Sequence, residues 1–134
     1  MGRIVVLTDS LGSHAGGLAH ATLNLAIASA ESLPADELFV VAQSDRSEID
    51  IGKCIPDNLS ILKYSGFRNR FFPYSFHADN FLRSLDPDVL HLRGLWRQSS
   101  LIAADWKRTY PSHRLIVQTA GMLEPWAWKR NSVT

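Results

Sequence analysis

The sequence predicts an open α/β domain, a parallel sheet with helices on both faces. Three observations point to it. Short apolar runs, RIVVLT at residues 3–8, ELFVVAQ at 37–43, LSILKY at 59–64, DVLHL at 88–92 and RLIVQT at 114–119, have the length and composition of strands. Helix-forming stretches separate most of these runs, and strand–helix alternation implies parallel strands joined by crossovers. A loop rich in glycine and serine stands directly behind the first run, where open sheets of this kind carry their ligand loops.

The elements follow in order. RIVVLT is a near-continuous apolar run, the pattern of a strand buried on both faces. DSLGSHAGG, residues 9–17, then leads into LAHATLNLAIASAESL, residues 18–33, apolar on nearly every side and so expected to be a mostly buried helix, which Pro34 ends. The second strand is 37–43, and a polar loop with Gly52 and Pro56 leads to the third at 59–64. The loop SGFRNRFFPYS, residues 65–75, precedes a helix over 76–85. Its spacing puts Ala78, Phe81, Leu82 and Leu85 toward the sheet, Phe76, Asn80 and Arg83 away from it, and His77 at the border. Pro87 cannot extend that helix and introduces the fourth strand. The loop RGLWRQ, a helix near 98–109 and the fifth strand complete the alternation. The apolar run before residue 118 reads as a buried strand, and QTAGMLEPWAWKR, residues 118–130, reads as the start of a functional loop.

The composition is that of an ordinary globular chain of 134 residues, with 46% hydrophobic and 20% charged positions, and no apolar run approaches the roughly 18 residues of a membrane helix. The start of the chain lacks the long apolar region and cleavage site of a signal peptide, and the single cysteine, Cys54, has no intramolecular disulfide partner. The expected home is the cytoplasm. The net charge of +1 conceals an asymmetry: residues 61–134 hold eleven basic and five acidic side chains, six charges positive. That half is either a solvated face or one that meets an anionic ligand or membrane surface. Arg68 and Arg70 among Phe67, Phe71, Phe72 and Tyr74 leave the same alternatives open for the 65–75 loop: a cover for the core edge, a phosphate contact, or a peripheral membrane contact.

Three loops are candidates for chemistry: 9–17, 93–98 and 120–128, each behind a strand. Gly16 and Gly17 let backbone amides come close to a ligand where a helix begins, although a plain tight turn would use them equally well. No Lys-Ser/Thr follows them, as a P-loop requires, and there is no G-x-G-x-x-G fingerprint. The histidines His14, His20, His77, His91 and His113 have no metal-ligand spacing, so no metal is expected. His91 inside a strand reads as a satisfied core histidine or as a group at the strand end. There is no G-x-S-x-G elbow, and Cys54 has no companion histidine.

Taken together, the GG loop behind the first strand, PDVLHLRGLW at residues 87–96 and GMLEPWAWK at residues 121–129 resemble the N-terminal domain of the retaining GT-B glycosyltransferases of the "group 1" kind. The resemblance spans nearly all of the chain. It implies one Rossmann-like domain over residues 1–134, an incomplete N-terminal half of a GT-B fold in which two such domains face a cleft. The first holds the acceptor, a glycan or lipid-linked saccharide, and the second holds most of the nucleotide-sugar donor; no cofactor is implied. By resemblance Gly16 and Gly17 approach the donor diphosphate. His14, Arg93, Gly94, Leu95 and Trp96 shape the acceptor cleft, and Gly121, Met122 and Leu123 lie beside the reacting sugar.

The chain departs from the family pattern at two positions. Arg93 stands where members often carry histidine, and Ala120 stands where they often carry histidine or arginine, although an alanine side chain can neither donate a hydrogen bond nor stabilise charge. The family's paired glutamates belong to the second domain, so this chain alone is expected to be inactive. The competing reading is a non-catalytic interaction module, or a truncated remnant, that pairs with a partner chain. Trp126 and Trp128 are the expected self-association surface. A receiver domain lacks its acidic cluster here, and no nucleic-acid motif accompanies the basic half.

Overall fold

The computed structural model describes residues 2–11, 17–43, 55–64, 76–94 and 98–119. The elements are β1 (Arg3–Ser10), α1 (Gly17–Ser32), β2 (Glu37–Gln43), β3 (Leu59–Tyr64), α2 (Phe76–Leu85), β4 (Val89–Arg93), α3 (Gln98–Thr109) and β5 (Arg114–Gln118). All strand pairs are parallel, in the order β3-β2-β1-β4-β5. The protein is thus an α/β fold of Rossmann-like type, and the order reverses between β1 and β4.

Strand alternation divides the core into two layers. Val6, Leu38, Val40, Ala42 and Leu59 point to one face, where α1 covers them with Ala19, Leu23, Ala26 and Ala30. Val5, Leu7, Val41, Leu90 and Leu92 point to the other, where Leu82 of α2 and Ile102, Ala103 and Trp106 of α3 cover them. Of the residues expected to turn α2 toward the sheet, Leu82 is buried and Phe81 and Leu85 pack against that core, while Asn80 and Arg83 are exposed as expected. The side chains of Phe76, His77 and Ala78 lie outside the described residues.

Two expectations need correction. Helix α1 is one-sided rather than buried all round: His20, Ala21, Asn24, Leu25 and Ala28 are exposed, because a single sheet lies against it and its outward apolar residues are mostly small. Strand β5 is no buried strand either. It is an edge strand, and Ile116 and Val117 are 51% and 46% exposed. Helix α1 packs on β1, β2 and β3. On the other face only Leu115 of β5 joins the core beneath α3.

The amino ends of the strands are tied together by backbone and side-chain bonds. The Asp36 and Asp88 carboxylates accept the Gly2 and Arg3 amides at 2.8 and 2.9 Å, and Arg3 Nη1 donates to the Leu85 carbonyl at 2.9 Å. Asn58 caps the end of α1 with one amide nitrogen that donates to the carbonyls of Ala30, Leu33 and Asp36 at 3.0, 3.1 and 3.0 Å.

Candidate functional site

The carboxyl ends of β1, β4 and β5 meet where the strand order reverses, the place where open α/β sheets bind ligands. Register fixes which side chains share the site. Thr8 is paired with Arg93, and Arg93 with Gln118. All three follow the parity of Val6 and so lie on the face that α1 covers farther along the sheet.

Strand β4 stops sharply after Arg93. Gly94 is buried and has φ 91°, a conformation open to glycine and strained for any residue with a Cβ. Its amide donates to the Gln118 carbonyl at 2.9 Å, so the turn out of β4 is tied to β5. That bond places the Gln118 side chain beside the end of β4, where Arg93 Nη1 donates to its Oε1 at 2.7 Å. His91 Nε2 lies 3.1 Å from the same oxygen. Since that oxygen is an acceptor, the His91 ring must carry its proton on Nε2.

Electrostatically the cluster has an excess of donors. Arg93 is only 6% exposed, and its Nε is buried with no partner. Thr8 is fully buried, and its hydroxyl also has no partner. Burial lowers the pKa of Arg93, though not enough to deprotonate a guanidinium. Burial also lowers that of His91; the Gln118 hydrogen bond works against this and the Arg93 charge adds to it. His91 is half-buried and bonded to Gln118, so it is a hydrogen-bonded group near a strand end rather than a fully buried core histidine.

Of the residues singled out in the sequence, the structure brings Arg93 and Gly94 together at the end of β4 and puts Gly17 at the start of α1, behind neighbouring β1. Nothing stands within 4 Å of a Cβ built on Gly17, so its approach is open. His14, Gly16, Leu95, Trp96, Ala120, Gly121, Met122, Leu123, Trp126, Trp128 and the 65–75 loop lie outside the described residues. Thr8 and Gln118 were not singled out, although both are polar residues at the carboxyl ends of apolar runs.

Comparison of the chain with models of known families, with curated proteins and with solved structures finds no match. Among the described residues no cluster of three or more His, Cys, Asp or Glu could hold a metal ion, and no helix is long and apolar enough to cross a membrane. A shallow depression of about 410 Å³ lined by Asp88, Val89, Ser112, His113 and Arg114 lies at the amino ends of β4 and β5, opposite the ligand-binding end of such a sheet.

Proposed function

We propose that this chain is the acceptor-side domain of a retaining glycosyltransferase of GT-B type, part of an enzyme that moves a sugar from a nucleotide-sugar donor to a glycan or lipid-linked acceptor. One observation carries the reading: two of the three motifs behind the family resemblance fall, where described, at the carboxyl ends of adjacent strands. Gly17 opens the helix behind β1, and Arg93 and Gly94 close β4 across the point where strand order reverses. In this reading the helix start offers backbone amides to a diphosphate, and the β4 turn forms the wall of the acceptor cleft. The proposed setting is cytoplasmic, at the inner face of a membrane where the acceptor is lipid-linked.

The test is a nuclear magnetic resonance titration of the isotopically labelled chain with uridine and guanosine diphosphates and with a panel of oligosaccharides. The expected result is saturable shifts of the Gly17 amide with a nucleotide diphosphate and of the Gly94 amide with at least one saccharide. Shifts with neither ligand class, or shifts confined to the amino ends of the strands, would remove the reading. Sugar transfer from a nucleotide donor is expected to be absent for the purified chain, and its detection would overturn the assignment of the donor site to another domain.

A second reading has its own support. Ile116 and Val117 are large, apolar and exposed on an edge strand, as in a module that joins a partner chain. Sedimentation decides between a monomer and an assembly. If substitution of both residues by threonine leaves an observed assembly intact, this surface is not responsible.

A further inference from the structure

Among the described residues, no counter-charge stands beside the buried Arg93 cation. Its partner is the neutral amide of Gln118, at 2.7 Å, and its Nε has none. The ion pairs among the described residues lie elsewhere: Arg3 with Glu37 and Arg108 with Asp105, both at 3.4 Å. His91 aims an N–H at the same Gln118 oxygen, so two donor side chains share one acceptor. A buried guanidinium that loses its hydration without gaining an anion in exchange is costly, and no described residue supplies one here. The neighbouring strand contributes a second unsatisfied group, the Thr8 hydroxyl, at the position registered with Arg93 and about 5 Å away across the ladder. All of these groups lie at the carboxyl end of the sheet, on the face that α1 covers over β1, β2 and β3.

We propose that Arg93 receives an anionic oxygen group, a phosphate or a carboxylate, carried by the acceptor, with Thr8, His91 and Gln118 lining the seat. The assignment to the acceptor rests on the reading under Proposed function; the anion site itself rests on the geometry alone. A planar guanidinium presents a fork of N–H groups that matches two oxygens of either anion, which a lysine in its place could not. Gln118 holds the fork in position while the seat is empty, and His91 adds a neutral donor beside it. The acceptor class that follows is a phosphorylated or uronate-bearing saccharide rather than a neutral one.

The probes are inorganic phosphate, D-glucuronate and, as the uncharged control, glucose, each titrated at constant ionic strength into the labelled chain. The readouts are the Arg93 Nε–Hε correlation and the His91 ring Hε1 resonance. Saturable shifts of both with phosphate or glucuronate and none with glucose are expected. Arg93→Met should weaken the binding by about tenfold or more, the size expected for loss of a charge-assisted hydrogen bond, and Arg93→Lys should restore only part of it. Tighter phosphate binding identifies a phosphorylated acceptor, and tighter glucuronate binding a uronate. No saturable shift with either anion, or unchanged affinity in Arg93→Met, overturns the proposal. Should Arg93→Met not fold, the wild-type titration still decides, since it requires the two named resonances to move together. Anion binding without any oligosaccharide or nucleotide diphosphate binding would keep the site and remove the transferase reading. Saccharide binding without anion binding would do the reverse.

Discussion

The two halves of the sheet differ on the face that carries α1. Over β1, β2 and β3 that face is sealed: Val6, Leu38, Val40, Ala42 and Leu59 are buried beneath a helix whose contact stripe is mostly alanine. Over β4 and β5 the corresponding positions are half-buried His91, buried Arg93 and exposed Ile116 and Gln118. The first half is built to be stable, and the second holds polar groups that stability alone does not explain. Substitutions should expose the contrast. Leu38→Ala, at a position 1% exposed, should cost about 2–5 kcal/mol, whereas Ile116→Ala, at 51% exposure, should cost less than about 1 kcal/mol in urea denaturation. Comparable losses at both sites would mean that Ile116 is covered in solution.

The next largest effects test how each half is anchored. Asn58→Ala deprives the carbonyls of Ala30, Leu33 and Asp36 of one shared donor and should cost about 1–3 kcal/mol. Gly94→Ala forces a Cβ onto a residue at φ 91° and should cost about 1–3 kcal/mol, the usual scale of such strain. Gly17→Ala is the control: with open space around the added methyl, it should change stability by less than about 1 kcal/mol, in the stabilising direction. A Gly17→Ala variant that keeps its stability but loses the diphosphate response would show that this glycine serves the ligand and not the fold.

The sheet was legible because its signal is local. Short β-branched runs and the helix stretches between them fix element type without knowledge of neighbours, and β2, β3 and α2 fall at the expected bounds. What a strand faces depends instead on its place in the sheet. RLIV has the same apolar pattern as RIVV, yet β5 is an exposed edge and β1 is central. Helix α1 shows the same limit, since alanine on its outer side cannot be told from alanine on its inner side by composition. The site was legible at Arg93 and Gly94, where a motif marked them. Thr8 and Gln118 were not, because their roles arise from register across three strands, 85 residues apart for Thr8 and Arg93 and 25 for Arg93 and Gln118.

The smallest expected effect, the titration of His91, is also the one most specific to the half built on β4 and β5. Its pKa lies below the ordinary value of 6.5, chiefly through burial, with the Arg93 charge in the same direction and the Gln118 hydrogen bond opposing. The unfolded chain therefore takes up its proton at higher pH than the folded one. Stability contributed by His91 is intact above about pH 6.5, declines as pH falls from there toward the folded-state pKa, and levels off below it. Ring-proton titration should give a midpoint under 6.5 in the wild type and a lower one in Gln118→Leu, since that substitution removes the opposing bond. Replacing Arg93 with methionine removes a repelling charge and should raise the midpoint toward 6.5. A midpoint above 6.5 in the wild type would mean that an anion already sits beside the ring. In that case the titration should be repeated after exhaustive dialysis, and a downward shift would locate the anion at Arg93.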